Sequence, residues 1–440
     1  MEATVLNTMY DADAREASRC IGCGTCVTVC PVFAEEGREA LTARGRNARF
    51  AELWANAERD GVDADLSACL ACGRCSLFCP QGLPNDRLVT DLRTLAAQRH
   101  GLPLLKKAAF RALLLNRRRM GRALRLAAAM QKVLPATRDV ELGYAQNTAL
   151  PPVRHLPLFF ARLAQGRHLP PINGQFLAER VPEVTPPAKP GIATARVLFF
   201  AGCAMEFVVP QAAQAMVQLV SELGMEVIVP REQGCCGTAA YANGDRETAL
   251  AMARHNVALI EEVAPDVVMT GCATCGSALR SMWQSLAESP EEKRRFAAVA
   301  RKTRDFSELV QAHSFPDPFP YASKLPQGAR VTWHGPCHLT HHQHVSREPV
   351  ALLQRAMGKD FSPLPSRCCG FGGSFNVSHY GLSTRIGERK VQDLRAVNAD
   401  FIVTECPGCM IQLVDLIAKN QLAGKVVHLA EAMGLATSRA

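Results

Sequence analysis

Two stretches, CIGCGTCVTVCP at residues 20–31 and CLACGRCSLFCP at residues 69–80, decide how this chain is organised. Each reads Cys-x2-Cys-x2-Cys-x3-Cys-Pro, and each cysteine of the second lies 49 positions after its counterpart in the first. Gaps of two residues let a tight loop aim three thiolates at one point. Gly22, Gly24 and Gly73 relieve crowding there, and Pro31 and Pro80 end the loop and turn the fourth cysteine away. A second repeat fills the C-terminal half: Cys203, Cys235, Cys236, Cys272 and Cys275 recur as Cys337, Cys368, Cys369, Cys406 and Cys409, at offsets of 133 or 134. All 18 cysteines fall in one repeat or the other. Disulfide frameworks belong to small secreted chains, whereas these cysteines stand at metal-ligand spacings.

The rest of the composition sets the frame. With 440 residues, 48% hydrophobic and 21% charged, the chain has the make-up of a globular protein of about two to four domains. No apolar run reaches the roughly 18 residues that span a bilayer, and the best candidate, residues 197–210, contains Glu206. The first 20 residues show no basic stretch followed by an apolar core and a cleavage site, so the expected compartment is the reducing cytoplasm. The net charge of +9 is uneven: twelve Lys or Arg and no acid lie between Asp91 and Asp139. Lys106, Lys107, Arg111, Arg117, Arg118, Arg119, Arg122 and Arg125 belong to a stretch with apolar residues at helical spacing. Such a helix is either a solvated face or one that docks on an acidic partner or, peripherally, on an anionic membrane surface. Aromatic residues are 6% and no reader motif is present, so nucleic acid is not an expected partner.

The N-terminal pair of runs matches the bacterial ferredoxin pattern, in which the fourth cysteine binds the other cluster. Two [4Fe-4S] clusters are expected: one on Cys20, Cys23, Cys26 and Cys79, the other on Cys69, Cys72, Cys75 and Cys30. Zinc would ask only for paired CxxC, and two complete runs are far more specific. In the C-terminal repeats each copy supplies one cysteine, then Cys-Cys-Gly, then CxxC. Adjacent cysteines face one metal only if the backbone bends sharply, which the following Gly237 or Gly370 permits. Five thiolates exceed what one zinc or one ordinary cube requires.

In both copies the cysteines follow short strand-like runs at residues 197–200, 225–229, 266–270, 330–334 and 400–405, with the strand before Cys368 poorly marked. Helical stretches at 210–223, 245–263 and 382–398 intervene. Alternation of this kind implies parallel strands, with ligands gathered at their carboxyl ends. The expected fold is α+β and multidomain. A helical two-cluster domain at residues 1–98 leads to a basic helical segment and proline-rich connector at 99–194. Two tandem α/β cysteine-rich domains with parallel sheets follow, at 195–325 and 326–440. Around Cys337 the run HGPCHLTHHQH carries five histidines, of which His334 and His338 flank the candidate ligand and are the expected cofactor-binding pair.

These residues resemble the duplicated cysteine-rich CCG domain shared by heterodisulfide reductase catalytic subunits and by iron–sulfur subunits of glycolate oxidase, lactate dehydrogenases and anaerobic glycerol-3-phosphate dehydrogenase. The resemblance covers residues 195–435, and with the ferredoxin half the whole order of modules matches. HNVAL at 255–259, CATC at 272–275 and CGFGGSF at 369–375 look most like the lactate and glycolate dehydrogenase subunits. What this implies is an electron-transfer subunit with no catalytic residue of its own for the hydroxyacid. It would be paired with a separate FAD-binding 2-hydroxyacid dehydrogenase subunit and pass electrons to a quinone, cytochrome or other acceptor. No Gly-x-Gly-x-x-Gly turn is present, in keeping with a flavin held elsewhere. In the reductases the five-cysteine set holds a non-cubane [4Fe-4S] cluster, so one or two further clusters are implied. Because both sets are complete here, a heterodisulfide-reductase-like thiol–disulfide oxidoreductase is the alternative.

Overall fold

The apolar runs ahead of the C-terminal cysteines form two sheets with the same strand order. The computed structural model describes residues 2–55, 65–103, 107–131, 154–155, 167–169, 174–188, 193–313 and 321–435. In the first sheet the parallel strands run Glu226–Ile228, Arg196–Phe199, Val267–Thr270, Thr303–Asp305 from edge to edge. In the second they run Phe361–Pro363, Val331–Trp333, Phe401–Thr404, Lys425–His428. Each sheet thus places its second strand outside the first and its third and fourth on the other side, so the order reverses beside the first strand. Such a reversal opens a crevice at the carboxyl ends of the strands, and the cysteines leave the strands there.

Between strands lie helices that bury one apolar side. Pro210–Glu222 opens with proline at its first position, where the missing N–H costs nothing, and buries Ala213, Met216, Val217 and Val220. Arg246–Val263 is capped by Asp245, whose side chain accepts from the Thr248 amide, and its counterpart is Tyr380–Val397. Arg196, at the start of the first strand of one sheet, and Arg330, just before the first strand of the other, bond through their amides to Asp266 and Asp400, the same device at an offset of 134. Of the proline-rich connector, Val184–Thr185 adds an antiparallel strand at the edge of the first sheet, where proline-flanked strands are tolerated. Pro151, Pro152, Pro170, Pro171 and the basic Lys106 lie outside the described residues.

The N-terminal unit is helical. Glu2–Ser18 and Asn85–His100 pack with Phe50–Ala55 around Phe50, Leu53, Trp54, Leu88, Leu92 and Leu95. It docks on the second cysteine-rich unit through a separate apolar patch, in which Val32, Leu41 and Leu70 meet Cys368, Phe375, Leu382 and Ile386. On the other side Arg93 donates to the carbonyls of Leu66 and Cys69 within its own unit and of Ala242 in the first cysteine-rich unit. Beside it Arg87 lies 3.0 Å from Asp13 and 3.1 Å from Asp91, and the Tyr241 hydroxyl donates to Asp91.

Burial, aided by the charge of Asp13, pushes the Asp91 carboxyl up to about 7. The folded state therefore holds a proton that the unfolded chain, with a carboxyl near its ordinary value, has already lost. Stability from this group is complete below about pH 4 and declines as pH rises to about 7, by at most about 1.4 kcal/mol per pH unit. Urea unfolding stepped through that window is expected to show the slope in the wild type and a flatter one in Asp91→Asn.

The basic segment is largely folded back on the protein. In Arg117–Gln131, Arg117 meets buried Glu206 at 2.5 Å and donates to the Gln233 carbonyl, and Arg118 pairs with Glu232. Arg125 pairs with Glu179, and Arg111 with Glu247. The pair that matters for stability is the buried one, because truncating Arg117 strands the Glu206 charge. Arg117→Met should cost about 2–3 kcal/mol, and the thermal midpoint of Arg118→Met should hardly move.

Candidate metal centres

In the helical unit Cys20, Cys23, Cys26 and Cys79 line one pocket, together with Ile21, Arg44 and Pro80. The loops are tied to each other by Arg19, which donates to the Gln81 carbonyl, and Arg44 donates to the Gly22 carbonyl. Cys23 is exposed, and Ile21, next to Cys20 in the chain, and Leu77 and Phe78, just before Cys79, are large apolar side chains in solvent. The fourth cysteine of the first run has gone the other way: Cys30 lies among Cys69, Cys72 and Cys75, and burial drives its thiol up to about 11.

From this second group the sulfurs continue into the C-terminal half. Cys72 neighbours Cys337, which neighbours Cys368. Cys368 and Cys369 adjoin, Cys369 lies 3.6 Å from Cys409, and Cys409 meets Cys406. Cys406 then contacts Cys272 of the other repeat, and the run proceeds through Cys275, Cys236 and Cys235 to Cys203, the last step being 3.8 Å. Cys236, Cys368 and Cys406 each accept from two neighbouring thiols and are held well below the ordinary thiol range. Thiolate is the form that binds metal. All 18 cysteines are free.

Backbone geometry explains how adjacent cysteines aim together. Gly237 and Gly370, each following a Cys-Cys pair, both stand at φ +89°. The Gly370 amide donates to the Cys368 sulfur at 3.3 Å. Hydroxyls that the spacing rules do not single out also face sulfur: Thr25 toward Cys23, Thr238 toward Cys236 and Thr274 toward Cys406. Their only sequence signal is position within or just after a Cys-x-x-Cys or Cys-Cys-Gly turn.

The histidines separate into two kinds. His334 is 1% exposed, neither ring nitrogen has a partner among the described residues, and its nearer nitrogen lies within 4.8 Å of the Cys369 and Cys409 sulfurs. Burial holds its imidazole at about 3, neutral and open to a metal or cluster. An orphaned imidazole beside the sulfurs of the second five-cysteine set fits a bound metal group. His338 instead bonds to the Thr274 hydroxyl at 3.0 Å, and His341 and His342 bond to the Cys72 carbonyl and to Ser277. They fasten the Cys72 loop to the two cysteine-rich units.

Comparison with known proteins agrees with this chemistry. The 4Fe-4S dicluster domain family matches residues 16–83, and the cysteine-rich CCG domain family matches twice, at 197–280 and 331–414. A probable glycolate oxidase iron–sulfur subunit of Bacillus subtilis (strain 168) is 31% identical over 437 residues, which is 95% of this chain and 94% of that one. Lactate utilization protein A of Geobacillus sp. (strain WCH70) is 30% identical over 241 residues, 54% of this chain and 98% of the relative. A subunit of the fumarate reductase (CoM/CoB) of Methanothermobacter marburgensis is 28% identical over 246 residues, 55% of this chain and 47% of the relative. Two complete ferredoxin-type sulfur sets, two complete five-cysteine sets and a relative alike over nearly the full length lead to one assignment: the chain is an iron–sulfur protein and belongs to the family of glycolate oxidase iron–sulfur subunits and lactate utilization proteins.

Proposed function

We propose that this chain is the electron-carrying subunit of an FAD-dependent dehydrogenase or oxidase of a 2-hydroxyacid, D-lactate or glycolate, and that it passes electrons on to a quinone, cytochrome or other acceptor. Four sulfur sets would each hold one [4Fe-4S] cluster: Cys20, Cys23, Cys26 and Cys79; Cys69, Cys72, Cys75 and Cys30; and the two five-cysteine sets, with His334 beside the second. The observation that carries the reading is the unbroken succession of sulfur neighbours from Cys72 through Cys337 and Cys406 to Cys203. Clusters supply one-electron oxidation and reduction. The protein's part is to hold them close together, keep the inner sets dry and leave one edge open at Cys23.

An apolar rim at Ile21, Leu77 and Phe78 suits a lasting subunit contact better than a fleeting one. For the acceptor side, Arg119, Arg122 and Leu126 point outward from Arg117–Gln131, a face suited to the cytoplasmic side of an anionic membrane. Among the described residues no helix is long and apolar enough to cross a membrane. The units implied are residues 1–98, 99–194, 195–325 and 326–440.

The test is to mix the cluster-loaded chain with its flavoprotein partner and follow cluster bleaching on adding D-lactate or glycolate. Bleaching that needs both the hydroxyacid and the flavoprotein is expected; bleaching by hydroxyacid without flavin, or none with it, overturns the proposal. A thiol–disulfide oxidoreductase is a second reading, favoured by ten intact cysteines in the two large repeats. It predicts that disulfide substrates alter the EPR signal of a reduced C-terminal cluster.

A further inference from the structure

The two five-cysteine sites come from one repeat, so any chemical difference between them stands out against an otherwise shared design. Their long helices align without a gap: Arg246–Val263 and Tyr380–Val397 each have 18 residues and end on a left-handed residue, Ala264 and Asn398. At that offset of 134, Asn256 of the first site corresponds to Lys390 of the second, and Phe200 corresponds to His334.

In the first site Asn256 is neutral. It accepts from the Gly234 amide at 2.8 Å and donates to the Cys235 carbonyl at 2.9 Å, bracing the loop that carries the Cys-Cys pair. Phe200 closes the wall with an edge-on contact to Trp283. The second site has Lys390 in the bracing position, 1% exposed, donating from Nζ to the Pro365 carbonyl at 2.8 Å in the corresponding loop. Its ammonium acts on Cys369, Cys368 and Cys337, and also on His334. The charge is only partly balanced. Asp393 lies 3.7 Å from Lys390, but Arg367 also claims that carboxylate at 3.6 Å, which leaves one net positive charge in the group.

A buried cation beside an iron–sulfur cluster stabilises the more negative, reduced form, and it does so strongly because little water screens it. We infer that Lys390 makes the second five-cysteine site the more easily reduced of the two, so that an electron leaving the Cys69, Cys72, Cys75, Cys30 site rests there before it moves to the first. The step balances as a plain transfer: one cluster loses an electron, its neighbour gains it, and no bond is made or broken. Lys390 is a positioning residue in this scheme, since it ligates nothing. The inference rests on the reading that both large repeats are filled.

The test is an EPR-monitored redox titration of the full cluster-loaded chain, with signals assigned by those lost in Cys409→Ser (second site) and Cys275→Ser (first site). Lys390→Met should lower the midpoint of the second-site signal by at least the equivalent of a tenfold change in its reduction equilibrium, about 59 mV for one electron. Lys390→Arg should restore it. Asp393→Asn, which frees the ammonium of its counter-charge, should move the midpoint the other way, and it carries the test if Lys390→Met fails to retain the cluster. The first-site midpoint should stay in place throughout. An unmoved second-site midpoint in Lys390→Met and Asp393→Asn, or a shift in the first-site signal instead, overturns the inference. Should Cys409→Ser remove no iron and no signal, it is the occupancy reading that fails.

Discussion

Cys79→Ser is expected to remove the cluster that Cys20, Cys23 and Cys26 hold, and Cys30→Ser the one that Cys69, Cys72 and Cys75 hold, each with the loss of about four irons per chain. The crossed result follows from geometry, because Cys79 lines the cavity of the first run and Cys30 sits among the sulfurs of the second. Its consequences differ sharply between the two variants. Cys79→Ser strips the exposed edge at Cys23 but leaves the contact from Cys72 to Cys337 intact. Electrons supplied by a small reductant should then still reach the five-cysteine sites, while delivery from a flavoprotein docked at Ile21 and Phe78 should fall to background. Cys30→Ser removes the bridge itself, so the outermost cluster should stay reducible while both large sites become slow to follow. Iron analysis and EPR of the two purified variants check the crossing, and an uncrossed loss in either variant would falsify the assignment.

That bridge also shows where the sequence was readable. Spacing alone singles out the eight N-terminal cysteines and the two five-cysteine sets as candidates, because each ferredoxin-type run is one short loop and each large repeat recurs at a fixed offset. The parallel sheets were legible from apolar runs at 197–200, 266–270 and 400–405, which the structure keeps as Arg196–Phe199, Val267–Thr270 and Phe401–Thr404. Two strands were not: Thr303–Asp305 follows directly on a helix, and Lys425–His428 is polar at both ends. The strand before Cys368, poorly marked in sequence, is Phe361–Pro363 at the edge of its sheet, where burial is slight and no apolar pattern is imposed.

The joints between units were beyond sequence reasoning altogether. That Cys272 meets Cys406, and Cys72 meets Cys337, depends on how whole units dock. The Ala273 amide donates to the Glu405 carbonyl, and His428 bonds to the Gly271 carbonyl, both across the two repeats. No local pattern encodes a bond between residues more than 130 positions apart. The same holds for the basic segment, whose arginines look like a free cationic face until Glu206, Glu232, Glu179 and Glu247 are found opposite them. His338 and His342, two of the five histidines around Cys337 in the sequence, also bond across the joint, to Thr274 and Ser277.

Gly370→Ala should be among the most damaging substitutions that change no candidate ligand. At φ +89° a side chain is strained whatever the space around it, at a cost of about 1–2 kcal/mol. A Cβ there would also lie 2.2 Å from the Ser383 carbonyl oxygen and 3.2 Å from the Gly387 amide, both backbone atoms of the facing helix Tyr380–Val397. Relief requires that helix to move, and overpacking of this kind adds about 1–3 kcal/mol. The sum, about 3–5 kcal/mol, falls on the turn that aims Cys368 and Cys369 and on the helix that carries Lys390. The equivalent Gly237 has the same φ, but its Cβ would meet Ala249 at 3.2 Å, a contact that a few tenths of an ångström relieves. Gly237→Ala should therefore cost less, by about 1–2 kcal/mol, though the two turns repeat one sequence pattern. Thermal unfolding of the two variants with cluster content measured in parallel separates the contributions. Equal losses would mean that φ strain alone governs both turns, and a larger loss in Gly237→Ala would show that the facing helix of the second repeat yields more easily than its packing suggests.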